Sequence, residues 1–523
     1  MAVNPTYPGV YVEEVPSGVR SITGVSTSNT AFVGYFRKGP MKKPVRVNSF
    51  AEFERVYGGL DRESPTSYAV QQYYLNGGRV AFIVRVASGT PKSATVELKN
   101  GATTVLVLEA ANEGSWGKEL EVAIGHPSTG VFNLVVRRVV TVAGEKQVAQ
   151  TEIHRGLTMS TSDPKFVKDV LSGSSILVKA TTVTGNDRPD ETKAGVDPTT
   201  PTAIGDLGAG NAFKGLTAVG SMDGTKPSTS SVLTDGVKTL GGIAPQVFNL
   251  LVMPDAGELP DDTKRKSAYS DAEKFCIDHR AFLIADIPQD VDTKTEMQSW
   301  MTNVGSGLKK NAAVYFPRLE IADRLNDDRP KDVAASGTIA GIYARTDASR
   351  GVWKAPAGTE ALLRGASIVT QLDDLTTGEL NTVGVNVLRS FPVFGNVAWG
   401  ARTLDGADQK ASEWKYVPVR RTALFIEESL YQGLKWVVFE PNAEPLWAQI
   451  RLNVGAFMNT LFRQGAFQGT TPREAYLVKC DSETTTQNDI DSGVVNIVVG
   501  FAPLKPAEFV IIKIQQMAGQ IQT

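Results

Sequence analysis

Sulfur and imidazole are scarce: the 523 residues include two cysteines and three histidines. Cys276 and Cys480 stand far apart in unrelated contexts, which excludes a disulfide framework, fits a reducing compartment and reads both as small buried hydrophobes. Long apolar runs are missing too. No stretch approaches the roughly 18 continuous apolar residues that a bilayer span needs, and the opening residues have neither a basic n-region nor an apolar segment. Cytoplasmic synthesis and assembly, with no membrane insertion, is the expectation. Charge of one sign is also lacking: 54 Lys and Arg stand against 56 Asp and Glu, so no global basic field gathers nucleic acid or an anionic membrane.

Catalytic and metal motifs are equally sparse. Cys276-x-x-His279 could put two ligands on one helix face, but no second pair completes a closed zinc site, so it reads as a buried cysteine beside a helix-end histidine. His126 and His154 read as surface residues. The glycine-rich stretch 205–215 has no Lys followed by Ser or Thr at phosphate-loop spacing. No G-x-S-x-G elbow occurs, and Asp327-Asp328, set among Arg324, Arg329 and Lys331, reads as a solvated cluster. Trp353, Trp399 and Trp414 read as core aromatics. Catalytic, cofactor-binding and metal residues are therefore expected to be none.

What is present is length and a change of pattern. A chain of 523 residues exceeds one core and predicts two to four domains. The reading is α/β and α+β multidomain. An α/β middle domain is expected over 26–87, with a strand at 31–35, a helix at 67–75 and a buried strand at 80–86, and it resumes over 245–365. There strands at 247–253, 281–287 and 312–316 alternate with helices at 261–279 and 293–308, which is how a mainly parallel sheet is written. Between these parts, 88–244 is rich in Thr, Val, Gly and Ser and reads as an inserted, mostly β domain.

A last domain spans 366–505. Its strongest helix is expected over 445–463, where Trp447, Ile450, Val454, Phe457 and Leu461 recur at three- and four-residue steps, with Asn442 as cap. A helix over 421–438 places Arg421, Glu428, Gln432 and Lys435 on one polar face. Strands at 494–501 and 509–514 close the chain. Residues 1–25 and 506–523 read as extended arms, each with a short β-prone segment: Val10, Tyr11, Val12, Glu13, Glu14 and Val15 at one end, and Phe509, Val510, Ile511, Ile512, Lys513 and Ile514 at the other. Each is too short to pair within itself and needs a sheet elsewhere.

Several segments, spread from end to end, resemble the family of contractile tail sheath proteins. They are Tyr7-Pro8-Gly9-Val10-Tyr11-Val12-Glu13-Glu14, the block 31–39 followed by Tyr57-Gly58-Gly59, and Asn76-Gly77-Gly78 leading into 82–86. Later come Gly351-Val352-Trp353-Lys354-Ala355-Pro356-Ala357-Gly358 after 347–350, and Gly384-Val385-Asn386 followed by Trp399-Gly400-Ala401-Arg402-Thr403-Leu404. The resemblance covers about 1–87 and 245–523.

It implies stacked hexameric rings around an inner tube, a contraction that consumes no nucleotide, and arms that each add a strand to a neighbouring subunit's C-terminal domain. It also implies an outward-facing insertion and an inner C-terminal domain. The partners implied are other copies of the chain, the inner tube protein, the baseplate and the tail-terminator or cap proteins. The mature location would be a virion tail or a phage-tail-like injection particle, and the polar face of Arg421, Glu428, Gln432 and Lys435 is the expected tube contact. The alternatives are a secreted or surface-layer β-rich protein, which lacks its export signal, and an α/β enzyme, which lacks a nucleophile or phosphate motif.

Overall fold

The computed structural model describes residues 21–217, 220 and 222–513. Fourteen α-helices and five sheets occur among them, a mixed α/β class, and no helix among them is long and apolar enough to cross a membrane. The chain divides into two compact units. Among the described residues, the larger comprises Ser28–Arg345 and Ala357–Ala411, and the smaller comprises 21–27, Thr346–Pro356 and 412–513.

The larger unit is built on strands of continuous apolar sequence. Thr30–Gly34, Ala81–Arg85 and Ala312–Phe316 are buried at every residue, as strands covered on both faces must be. They join an eight-stranded sheet in the order Gly395–Ala398, Asn386–Phe391, Ala312–Phe316, Phe282–Ala285, Leu250–Val252, Thr30–Gly34, Ala81–Arg85, Val45–Val47. The six inner strands run parallel and the two edge strands antiparallel. Register is fixed by pairs such as Phe32 with Ile83 on one side and Val252 on the other. The pair 386–391 and 395–398, expected with the C-terminal domain, belongs to this sheet, because a strand's partner is not written in its own residues.

Helix starts follow local chemistry. Ser64, Asp261 and Thr293 accept from the N–H groups of Ser67, Lys264 and Glu296, opening helices Pro65–Leu75, Asp262–Asp278 and Lys294–Asn303. Helix Ser336–Arg350 crosses Pro65–Leu75 so closely that a Cβ at Gly341 would lie 2.6 Å from the Tyr73 carbonyl oxygen, and one at Gly337 would run into the backbone of Ala69.

Within the same unit a three-stranded sheet (Thr95–Asn100, Thr103–Ala110, Val178–Val183) and a four-stranded one (Lys214–Gly215, Leu120–Ser128, Val131–Val142, Glu145–Leu157) share a core that includes Leu108, Trp116, Phe132 and Leu134. Ala143 and Gly144, at φ +51° and +86°, make the two-residue turn between the longest strands. His154 is not a surface residue. It is buried, with Glu152 3.4 Å from its Nε2. Trp399, read as core, is 42% exposed and tilts against Phe391 at the sheet's edge.

In the smaller unit, helix Glu444–Arg463 buries Trp447, Ile450, Val454, Phe457 and Leu461, the stripe its spacing predicts. Asn442 does not cap it. Its Oδ1 accepts from Trp447 Nε1 at 2.9 Å and its Nδ2 donates to the Val494 carbonyl at 3.0 Å, leaving Ala443 at the cap position with no side-chain bond. The helix expected over 421–438 is Val417–Gly433 followed by the 3-10 turn Lys435–Val437. Strand Tyr476–Lys479 pairs antiparallel with Val498–Phe501.

Candidate functional site

The sheet formed by Tyr476–Lys479 and Val498–Phe501 has two strands among the described residues. Sheets that small are marginal in water, and their outer edges present unpaired N–H and C=O groups. Leu477 is 55% and Val498 47% exposed, so apolar surface remains open along it. Nearby in sequence, Tyr416 Oη donates to Glu508 Oε2 at 3.1 Å. Beyond that bond the chain runs through Phe509, Val510, Ile511 and Ile512, which are 73 to 83% exposed and in no strand. Lys513 is exposed as well. Val10, Tyr11, Val12, Glu13, Glu14, Val15 and Ile514 lie outside the described residues.

The described stretch that follows the first of these segments is firmly seated. Ile22 is buried against Gly433, where a Cβ would come within 2.7 Å of its Cγ2, so the glycine leaves room for the isoleucine. The Val25 N–H donates to Ser429 Oγ at 3.2 Å, and Arg421 Nη2 donates to the Thr27 carbonyl at 2.8 Å. Arg421 also grips both carboxylate oxygens of Asp347. Beside this seat lies a cavity of about 320 Å³ lined by Ile22, Val25, Trp353, Phe425 and Phe457, among others.

These contacts change the reading of the 417–433 helix. Arg421 and Glu428 are buried rather than on an open face: Arg421 by its pair with Asp347, Glu428 while accepting from Gln432 Nε2 at 2.6 Å. Gln432 is half-buried and Lys435 exposed. Asp347 is the residue that sequence reasoning missed. Nothing local marks a carboxylate 74 residues upstream as the arginine's partner.

The larger unit's sheet has the geometry that in other open parallel sheets takes ligands, at the carboxyl ends where strand order reverses, here between Thr30–Gly34 and Leu250–Val252. The chain's own side chains occupy it. Asp255 Oδ2 accepts from the Tyr35 N–H at 3.2 Å and from Thr66 Oγ1 at 2.5 Å. At the next strand Asp286 accepts from the Ser336 N–H at 2.9 Å and from its hydroxyl at 2.5 Å. Burial pushes both carboxyls up to about 6. Cys276 is buried, which raises its thiol, and His279 stacks on Phe275 at 3.9 Å with Nδ1 2.9 Å from that residue's carbonyl. Among the described residues no three His, Cys, Asp or Glu side chains are grouped to hold a metal ion.

Residues 409–517, which hold the open sheet and the exposed apolar run, match the family described as phage tail sheath C-terminal domain. Similar curated sequences include one named as a prophage major tail sheath protein of Pseudomonas aeruginosa, 26% identical over 44% of this chain, and the tail sheath protein of Vibrio phage KVP40, 27% identical over 36% of it. The aligned stretches span 56% and 26% of those relatives' own lengths, so the chain spans about half or less of the curated relatives it matches.

Similar solved structures include the sheath of an extracellular contractile injection system, PVC, in its contracted state (TM-score 0.59, 21% identity, 98% of this chain and 99% of that one). Another is the helical sheath of the anti-feeding prophage, also contracted (0.56, 23%, 98% and 99%). A third is a sheath tail protein from Listeria innocua (0.60, 14%, 92% and 96%). At these identities the likeness is one of fold. The recognition of a contractile tail sheath protein made from sequence is the one these comparisons return.

Proposed function

We propose that the chain is the structural subunit of a contractile sheath, acting mechanically and not as an enzyme. It polymerises as stacked hexameric rings around an inner tube, built upon a baseplate and closed by a terminator, in a phage tail or a phage-tail-like injection particle assembled in the cytoplasm. The observation that carries this reading is the pairing, within one sheath-type domain, of an open two-stranded sheet with an exposed run of four apolar residues, Phe509 to Ile512, in no strand of the described chain. Edge groups and an unpaired strand satisfy one another when the strand of one copy adds to the sheet of the next. In this scheme the donors are 10–15 and 509–514, and the acceptors are the edges of Tyr476–Lys479 and Val498–Phe501.

The same reading divides the chain into a middle domain (26–87 and 245–411, its far end moved past the strands at 386–398 that join its sheet), an outward insertion (88–244) supported by its own apolar core, and an inner domain (412–505). Of the four residues expected to meet the tube, Gln432 and Lys435 are the ones with open surface. Exposed polar contacts of about 0–1 kcal/mol each suit a surface that must hold and then release.

Electron microscopy of the purified chain tests the proposal. Full-length protein forms cylinders or stacked rings, while chains lacking 1–17 or 507–523 stay folded and soluble and form no long sheaths. Dispersed full-length monomers at high concentration, or normal cylinders from both truncations, overturn it.

A further inference from the structure

Phe439 is fully exposed and holds a backbone φ of +70°. Each feature is unfavourable. A bulky side chain at positive φ is a steric outlier, and such strain persists only where the surroundings impose it. Here the surroundings do impose it. The Glu440 N–H donates to the Val437 carbonyl at 3.1 Å, and Asn442, bonded to Trp447 and to Val494, ties the loop to the core helix and to the segment that leads into strand Val498–Phe501. Hydrogen bonds hold the loop on both sides of a fully exposed ring. Val438, beside it, is 63% exposed.

We infer that Phe439 is an aromatic anchor that packs against a second copy of this chain, beside the sheet edge where a neighbour's strand is added. The inference rests on the sheath reading above and names a contact that reading does not contain. Two observations favour a second copy over an unrelated partner. Asn442 ties the loop to Val494, four residues ahead of strand Val498–Phe501, so the loop is anchored to the segment that enters that sheet. And the chain itself carries the apolar run that such a ring would cover: four consecutive apolar residues, 509–512, place apolar side chains on both faces of a strand, and a sheet edge supplies hydrogen bonds but not a cover for both faces. A rigid aromatic at the rim supplies part of that cover, at little cost in side-chain freedom.

The experiment compares the full chain with Phe439→Gly and Phe439→Trp, by thermal denaturation of the unassembled protein and by electron microscopy across concentration. Glycine accepts the positive φ and removes only the exposed ring, so its melting temperature stays level or rises while the concentration needed for cylinders increases about tenfold or more. Tryptophan keeps assembly near wild type. Cylinders from Phe439→Gly at the wild-type concentration overturn this inference and leave the sheath reading intact, whereas a wild-type chain that forms none overturns both. A photo-crosslinking residue at 439 in assembled purified chain yields a covalent dimer. Crosslinks only within one chain, or to a tube protein in co-assembled particles, overturn it.

Discussion

Arg421 donates to both carboxylate oxygens of Asp347, at 2.9 and 2.6 Å, with each side chain 3% exposed. Removing one member leaves the other charged and buried, a loss of about 3–5 kcal/mol. Asp347→Asn or Arg421→Met therefore lowers the melting temperature of the unassembled chain sharply. The double variant Arg421→Met with Asp347→Leu costs much less than the sum of the two single changes, as a denaturation double-mutant cycle will register.

Asp255 and Asp286 give stability an inverted dependence on pH. Their folded pKa values, about 6 because of burial, stand above the unfolded value of about 3.9. Below about pH 4 both states are protonated and the groups contribute nothing. Between about 4 and 6 the folded state holds more protons, so stability falls as pH rises, and above 6 each site's penalty of about 3 kcal/mol is fully expressed. Glu258 faces both carboxyls and raises them, while Lys226 toward Asp255 and Arg318 toward Asp286 act oppositely. Asp255→Asn should gain stability relative to wild type progressively from pH 4 to 7, measured as the difference in unfolding free energy. A constant offset would refute the assignment.

Gly337 and Gly341 let helix Ser336–Arg350 approach Pro65–Leu75 at backbone distance. Gly337→Ala forces the helices apart or strains them, at about 1–3 kcal/mol or more, even though alanine favours helix. A lower melting temperature and reduced soluble yield are expected. A rise in melting temperature would mean that the crossing relaxes freely.

The Tyr416 to Glu508 hydrogen bond fixes where the exposed apolar run begins. Tyr416→Phe removes about 1 kcal/mol of local attachment. The Phe509–Val510 bond then becomes more readily cut by chymotrypsin with little change in overall melting, as limited proteolysis followed by mass spectrometry will detect.

The α/β portion was legible because its signals are local. Continuous apolar runs such as 31–33, 82–84 and 312–316 mark strands buried on two faces, and the expected starts at Asp261 and Thr293 are the observed caps, whereas the helix expected from 67 begins two residues earlier, behind Ser64. What escaped depends on distant partners. Asn442 has the right residue type for a cap, but the Trp447 indole claims its oxygen. A helical wheel put Arg421 and Glu428 on an open face because the wheel cannot see Asp347 or the segment at Ile22 and Thr27 that covers it. Phe439 gave no warning, since a loop phenylalanine ordinarily turns inward and only its full exposure in the folded chain reveals otherwise.

The seating of residues 22–27 bears on force. A pull on the chain ahead of Ile22 meets the Val25 to Ser429 bond, the Thr27 to Arg421 bond and the isoleucine locked over Gly433, all on the one helix Val417–Gly433. Through Arg421 the load passes to Asp347, on a separate stretch of chain. On the reading proposed above, in which residues 10–15 are lent to a neighbour, the lender's grip on them begins at this root.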